Sequence, residues 1–260
     1  MSGMNPAEFA NIRQSEEHFW WYRGMRTILF RMLAPYLKGR TIERGLEAGC
    51  GTGYFSQLLQ REHHWPVVPL DYSIDGLHYA RELGVRDPVQ GDIRALPFAS
   101  STFDILLSLD VIVHLARGEE HLAAREFARV VKPGGLVVVR TSALDILRSN
   151  HGAHAHERQR FTRSRLTALF ADAGVRILRC SYANSLLMPV ALAKFRLWEP
   201  LSRTLSGTQA ESGVQPVAPW LDNLLHSALA VESAWLGTGY NLPLGQSLIL
   251  IGEKIGEKLP

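Results

Sequence analysis

Cysteine is scarce in this sequence, and long apolar runs are missing. Cys50 and Cys180 are too few for a disulfide framework or for a zinc site with four cysteine ligands. No stretch of eighteen uninterrupted apolar residues occurs, so we expect no membrane-spanning helix. Residues 1–11 contain no basic region followed by an apolar run, which predicts no secretory signal and a cytoplasmic protein.

An excess of either charge is also missing. Lys and Arg number 28 against 25 Asp and Glu, giving a net charge of +3. No basic run or basic extension suggests a nucleic-acid partner, whereas small anionic substrates are compatible with this charge. The 260 residues, 46% of them hydrophobic and 20% charged, are typical of one large globular domain.

Helical and strand patterns alternate along most of the chain. The first pattern is a helix over residues 16–37, which Pro35 and Gly39 are expected to end. Further helices are predicted at 54–61, 74–83, 119–131 and 162–173. Strands are predicted at 41–47, 67–70, 85–91, 103–109, 136–140, 175–182 and 247–252. This alternation predicts an α/β fold with a mostly parallel sheet flanked by helices.

The segment between residues 180 and 250 differs in composition from the rest of the chain. It holds only seven Asp, Glu, Lys or Arg residues among seventy-one, about half the density of the whole sequence. Five prolines predict that it is broken into short helices. We therefore expect an apolar helical insertion before the last strand.

A glycine-rich loop follows the first strand after the N-terminal helix and leads into the next helix. Gly49, Gly51 and Gly53 stand at alternate positions, where they allow a sharp turn and a close approach to a ligand. A plain tight turn is the simpler interpretation. A dinucleotide-binding loop would need a further glycine where Tyr54 stands, which counts against a nicotinamide-dependent oxidoreductase.

This loop resembles the first motif of class I S-adenosylmethionine (SAM) dependent methyltransferases. The resemblance implies a Rossmann-like sheet of seven strands, six parallel and one antiparallel, with SAM at the carboxyl ends of the strands. It further implies that Gly49, Cys50, Gly51 and Gly53 wrap the methionine part of SAM and that Glu47 helps to hold the ammonium group.

Four later segments resemble further motifs of the same family, in the same order. By this resemblance Asp71, with Tyr72 beside it, binds the ribose hydroxyls of SAM, although Asp71 could instead cap the helix that begins at Ile74. The resemblance also gives an adenine site, in which Asp92 accepts from the exocyclic amine and Ile93 covers the ring. The other two segments are the fourth strand, ending at Leu109, and the Lys-Pro-Gly-Gly turn at 132–135.

Outside these motifs the chain resembles the type 11 methyltransferases, which adds candidates near the reaction centre. Tyr22 and Arg26 lie on an aromatic N-terminal helix that would cover the cofactor, with Arg26 pairing the SAM carboxylate; an amphipathic helix packed on the sheet is the alternative. His114 follows the fourth strand, where a neutral imidazole could deprotonate an acceptor. In the alternative, His114 only hydrogen-bonds the loop.

A histidine- and arginine-rich stretch at 151–165 would border the acceptor. Either it is a solvated charged loop, or it holds an anionic group. His156 is a second candidate base, and the candidate acceptor contacts are Arg160, Tyr182 and Asn184. No metal ligands are predicted.

These expectations define a single methyltransferase domain in four parts. Residues 1–40 form a helical N-terminal lid, 41–183 the SAM-binding core, 184–242 the insertion, and 243–260 the last strand and tail. The insertion could be a lid over the acceptor, a homodimer interface or a peripheral membrane contact; the protein could thus be a monomer or a homodimer.

We expect methyl transfer from SAM, which becomes S-adenosylhomocysteine (SAH), to a small organic acceptor, of which an apolar molecule with an anionic group is one type. The alternatives are a lipid-linked or cell-envelope glycan acceptor and a non-catalytic SAM-binding scaffold.

Overall fold

The computed structural model describes residues 6–148, 156–198 and 217–256. Within them the chain forms one seven-stranded sheet in the order β3-β2-β1-β4-β5-β7-β6. Strand β7 is antiparallel to both of its neighbours, and the other pairs are parallel. The strands are β1 (Gly45–Ala48), β2 (Val67–Asp71), β3 (Val89–Gln90), β4 (Phe103–Leu109), β5 (Val131–Ser142), β6 (Val175–Ala183) and β7 (Ser247–Lys254). The predicted Rossmann-like fold is confirmed.

Eight α-helices of the described residues flank this sheet. They are α1 (Pro6–Ser15), α2 (Trp20–Leu37), α3 (Tyr54–Glu62), α4 (Ile74–Glu82), α5 (Glu120–Val130), α6 (Arg163–Asp172), α7 (Met188–Ala193) and α8 (Pro219–Gly237). Short 3-10 turns lie at Ile112–His114 and Asp145–Leu147, and a π-helical turn at Lys194–Trp198 follows α7. No helix of the described residues is long and apolar enough to cross a membrane.

The sheet is buried on both faces, which explains the almost continuous apolar run of β4. Leu106 packs into the core cluster that includes α5 and α6. Its neighbours Ile105 and Leu107 pack into the opposite cluster, which contains the buried residues of α2 and α8. Successive side chains of a strand point to opposite faces, so β4 contributes to two apolar layers at once.

The N-terminal region contains two helices where the sequence predicts one. Helix α2 begins at Trp20 because Asp222 of α8 accepts a hydrogen bond from the Trp20 N–H at 2.9 Å and caps its first turn. It also continues past Pro35, which was predicted to end it. Pro35 costs a single backbone hydrogen bond in the last turn, while Tyr36 still packs against the core.

Other predicted boundaries are wrong for local reasons. Strand β3 is shorter than predicted because Asp87 has φ 50° and Pro88 cannot donate to a ladder. The insertion contains one nineteen-residue helix, α8, in place of short helices only, because Pro219 lies in its first turn, where proline is tolerated. Gly24 of α2 permits close packing with α8, since an added Cβ would lie 2.3 Å from Leu229.

Candidate functional site

The glycine loop joins β1 to α3 at the carboxyl edge of the sheet. Gly49, Gly51 and Gly53 have φ values of 91°, 54° and 79°, a region that favours glycine. The N–H groups of Gly49 and Cys50 both donate to the Leu70 carbonyl, at 2.7 and 2.9 Å, which fastens the loop to β2. The residues predicted to wrap the methionine part of SAM thus form a largely buried turn that is fixed to the carboxyl edge of the sheet.

Asp71 lies at the end of β2 and binds the same loop through its side chain. Its Oδ2 accepts from the Gly51 N–H at 2.7 Å and its Oδ1 from the Ser73 N–H at 2.8 Å. Ser73 is the residue that caps α4, through the Gly76 N–H, so the alternative that Asp71 is this cap is wrong. Burial raises the pKa of Asp71, and the two backbone hydrogen bonds oppose that rise. Tyr72, beside Asp71, is exposed.

Glu47 is buried in β1 beneath the loop, with 3% of its surface exposed. Its Oε2 accepts from the hydroxyl of Ser56 in α3. Burial raises the pKa of Glu47 to about 8. The neighbouring Cys50 is also buried, and burial raises the pKa of its thiol well above the usual value, so it is not an activated nucleophile.

The predicted adenine site lies after β3. Asp92 is already paired with Arg94 at 2.7 Å, and Arg94 also reaches Glu119 at 2.6 Å. Burial raises the pKa of Asp92, but the Arg94 hydrogen bonds outweigh it and leave the pKa below its usual value. Ile93 is buried in the core cluster. An adenine amine would have to share the Asp92 carboxylate with Arg94.

Helix α2 crosses this edge of the sheet and brings aromatic residues to it. Leu109 ends β4, and the following Asp110 pairs with Arg140 of β5 at 2.6 Å. The Arg140 guanidinium lies 4.9 Å from the ring centre of Trp21. Burial raises the pKa of Tyr22, with further contributions from nearby carboxylates, so its hydroxyl stays protonated.

Arg26 is engaged within the chain. It donates to the backbone carbonyls of Glu16 and Glu17 and lies 5.1 Å from the ring centre of Tyr54. A contact with the carboxylate of SAM stays a prediction for this residue.

His114 ends the 3-10 turn that follows β4. Its Nδ1 lies 3.4 Å from the backbone carbonyl of His156, so the two candidate bases are neighbours, joined through the backbone of one of them. Burial lowers the pKa of His114, while the carboxylates of Glu157, Asp110 and Asp71 oppose this shift. His151 and His154 lie outside the described residues.

The candidate acceptor contacts are mostly engaged elsewhere. Arg160 forms a buried ion pair with Glu157 at 2.9 Å and also donates to the Ala143 carbonyl. The Tyr182 hydroxyl accepts from the Arg163 N–H at 3.2 Å. Asn184 is buried, and its backbone N–H donates to Glu232, whereas its side-chain Oδ1 has no hydrogen-bond partner among the described residues. The contacts of Arg160 and Tyr182 favour structural roles, and the acceptor roles of all three residues stay predictions.

The structure adds one candidate that the sequence patterns did not indicate. The buried Glu16 carboxylate accepts a hydrogen bond from the hydroxyl of Thr52, within the glycine loop. Thirty-six residues separate the two, so no local spacing could have linked them. No group of His, Cys, Asp or Glu among the described residues could hold a metal ion.

The residues present fit SAM on structural grounds. The loop glycines leave their backbone free of side chains, and three carboxyl groups surround the loop, on Glu16, Glu47 and Asp71. Carboxylates suit both a pair of hydroxyls and an ammonium group.

Comparison with known proteins agrees with this geometry. A family profile described as a methyltransferase domain matches residues 46–139. A malonyl-[acyl-carrier protein] O-methyltransferase of Erwinia pyrifoliae is 46% identical over 99 residues, covering 38% of this chain and 37% of the relative. A protein of Mycobacterium tuberculosis, named as a probable S-adenosylmethionine-dependent methyltransferase, is 30% identical over 126 residues, covering 48% of this chain and 43% of the relative. The chain therefore spans less than half the length of these curated relatives.

The fold extends well beyond the matched segment. The crystal structure of a SAM-dependent methyltransferase from Archaeoglobus fulgidus superposes with a TM-score of 0.58 at 17% identity, covering 92% of this chain and 97% of that chain. The sheet order and the glycine loop are those of a Rossmann-like class I methyltransferase fold. Residues 46–139 match a methyltransferase domain, and the resemblance seen in the sequence is confirmed.

Proposed function

We propose that this protein transfers the methyl group of SAM to a small organic acceptor bound beside His114. One observation carries the proposal: within a matched methyltransferase domain, the glycine loop, Asp71 and His114 lie at the same edge of one sheet. Bound SAM would supply an electrophilic methyl group on its sulfonium. The described parts of the four predicted segments would act as one domain, because α2 and α8 together cover one face of the core sheet.

In this proposal the residues of the chain mainly bind and align. The backbone of the glycine loop receives the methionine part of SAM, and Asp71 receives the ribose hydroxyls while keeping its own bonds to the loop. The paired Asp110 and Arg140 hold Trp21, and with it α2, against the strand ends. Alignment of the nucleophile, carbon and sulfur supplies most of the catalysis in such a transfer.

His114 would remove a proton from the acceptor where the acceptor carries one. Its lowered pKa keeps the imidazole neutral at pH 7. With the proton on Nδ1, facing the His156 carbonyl, Nε2 retains a lone pair and serves as the base. A hydroxyl or amine acceptor needs this step, whereas a carboxylate acceptor is already ionised.

The named relatives indicate which acceptors to test first. The name of the Erwinia relative specifies O-methylation of a malonyl group on an acyl-carrier protein. This supports carboxyl-bearing acceptors for this chain. Acyl chains with a terminal carboxylate, hydroxyl or amine should therefore be incubated with protein and SAM labelled in the methyl group. Label in the extracted acceptor supports methyl transfer; binding of SAM without label in any acceptor favours the non-catalytic scaffold.

The variant His114→Asn assigns the role of the imidazole. It should slow methylation of a hydroxyl or amine by about 10²-fold or more, and have little effect on a carboxylate. His121 on the exposed side of α5 provides the matched control, His121→Asn. If His114→Asn methylates every acceptor as fast as His121→Asn does, His114 is not a base and makes only a structural hydrogen bond.

A lipid-linked acceptor is a second candidate, favoured by α7. This helix consists of apolar residues, yet none of them is buried, and Val190 is 63% exposed. The cations Lys194 and Arg196 follow directly; the Trp198 side chain and Arg203 lie outside the described residues. Flotation with anionic vesicles should carry the protein if this surface meets a membrane, and Val190→Asp should reduce it. Failure of the wild-type protein to float would remove this candidate.

A further inference from the structure

Helix α1 lies directly over the glycine loop. Phe9 of α1 is buried, and its ring is the nearest group to a Cβ added at Gly51, at 3.9 Å. The same ring would lie 2.9 Å from a Cβ added at Gly76, in the first turn of α4. The aromatic ring therefore covers both the loop and the start of the helix beyond it.

The carboxyl group of Glu16, the residue after α1, is buried, and only one of its two oxygens is hydrogen-bonded within the described part of the chain. Its side chain is 8% exposed, and its Oε2 accepts from the Thr52 hydroxyl at 2.5 Å. Its Oε1 is buried without a hydrogen-bond partner among the described residues. The nearest cation, the Arg13 guanidinium, is 3.9 Å away, beyond hydrogen-bond distance.

Burying a carboxylate oxygen without a hydrogen-bond donor costs free energy. A native site that contains such an oxygen is therefore a candidate for binding a ligand that supplies the donor. Arg26 does not supply it, because its guanidinium donates to the backbone carbonyls of Glu16 and Glu17. The Asp71 carboxylate, which accepts from the Gly51 N–H, lies at the same loop and adds negative potential there. The missing partner should therefore be a positively charged donor, and the amino-acid end of SAM carries an ammonium group.

We propose that Glu16 is a cofactor-binding residue whose free carboxylate oxygen accepts a hydrogen bond from the ammonium group of SAM, beneath the cover formed by α1 and Phe9. The inference rests on the proposed function, since it places SAM at the glycine loop. It assigns the binding of the ammonium group to a residue of the N-terminal lid, in addition to the predicted contribution of Glu47. Binding of the cofactor and closure of α1 would then be coupled through one side chain.

Calorimetric titration with three ligands tests this contact without any turnover. SAH carries both the ammonium and the carboxylate, its decarboxylated analogue keeps only the ammonium, and 5′-methylthioadenosine lacks both. Glu16→Gln should weaken binding of the first two roughly tenfold or more, because a hydrogen bond to an ammonium is lost, and should change methylthioadenosine binding less than threefold. Glu17→Gln, at an exposed neighbour, should leave all three affinities unchanged.

The outcomes separate this inference from the proposed function. If the wild-type protein binds neither SAH nor methylthioadenosine, the proposed function fails and takes the inference with it. If the wild-type protein binds SAH and Glu16→Gln weakens all three ligands equally, or none of them, only the role of Glu16 is overturned. Glu16→Met, which also removes the buried charge, provides the same ligand comparison if the Gln variant does not fold.

Discussion

Alanine at Gly53 should destabilise the fold more than alanine at Gly51, although both glycines belong to one loop. Gly51 has φ +54° and Gly53 has φ +79°. An L-residue in the left-handed region costs roughly 1–2 kcal/mol. The stiffer unfolded chain of alanine offsets about 0.4–1 kcal/mol of this cost. The backbone term alone therefore predicts a loss of about 1 kcal/mol at either position.

Packing separates the two positions. A Cβ on Gly51 meets nothing nearer than the Phe9 ring at 3.9 Å, which is an ordinary contact. A Cβ on Gly53 would lie 2.5 Å from the Ala80 Cβ and 2.9 Å from its Cα. Because the second contact is with the backbone of α4, no side-chain rotation can relieve it, and overpacking of this kind costs roughly 1–3 kcal/mol. The total loss for Gly53→Ala is then about 2–4 kcal/mol.

Urea unfolding of the two variants and the wild-type protein measures this difference. Each kcal/mol should also lower the melting temperature by about 2–4 °C in a domain of this size. Gly53→Ala should unfold at distinctly lower urea than Gly51→Ala, with similar slopes for all three proteins. Equal stability of the two variants would refute the packing argument, since their backbone costs are alike.

Three further changes test other parts of the structure. Asp71→Ala should weaken SAH binding by roughly 1–3 kcal/mol in calorimetry, whereas the exposed Asp75→Ala should not; equal affinities would remove the ribose role. Glu232→Gln should lower the free energy of unfolding by about 2–4 kcal/mol, because the Glu232 carboxylate accepts three backbone N–H groups of the segment that follows β6; a loss below 1 kcal/mol would contradict this. The raised pKa of Glu47, about 8 against 4.5, means that the folded state holds this proton more tightly than the unfolded state. The free energy of unfolding should therefore fall as the pH rises from 5 to 8, and Glu47→Gln should flatten that dependence in urea titrations at several pH values; parallel curves would count against the buried-acid interpretation.

Local sequence patterns were sufficient to predict the sheet, the glycine loop and the position of Asp71. The continuous apolar run of β4 reflects burial on both faces, and the three alternate glycines reflect a turn with positive φ. Both signals are contained within a few consecutive residues. The same is true of Asp71, whose position at a strand end follows directly from the strand pattern.

Contacts between distant segments were beyond such patterns. Nothing near Trp20 indicates that Asp222 caps α2 from two hundred residues away. Nothing near Arg160 in the sequence indicates that it forms a buried ion pair. A run of basic residues has the same sequence pattern whether its side chains are in solvent or in ion pairs. The same holds for Glu16, since only the fold brings its carboxylate to Thr52.

The most direct test of SAM as the cofactor is calorimetric titration of the purified protein with SAM, SAH and NADH. The glycine loop, with Tyr54 where a dinucleotide site needs glycine, predicts micromolar binding of SAM and SAH and no binding of NADH. Absence of binding by SAM and SAH, or binding of NADH alone, would contradict the assignment.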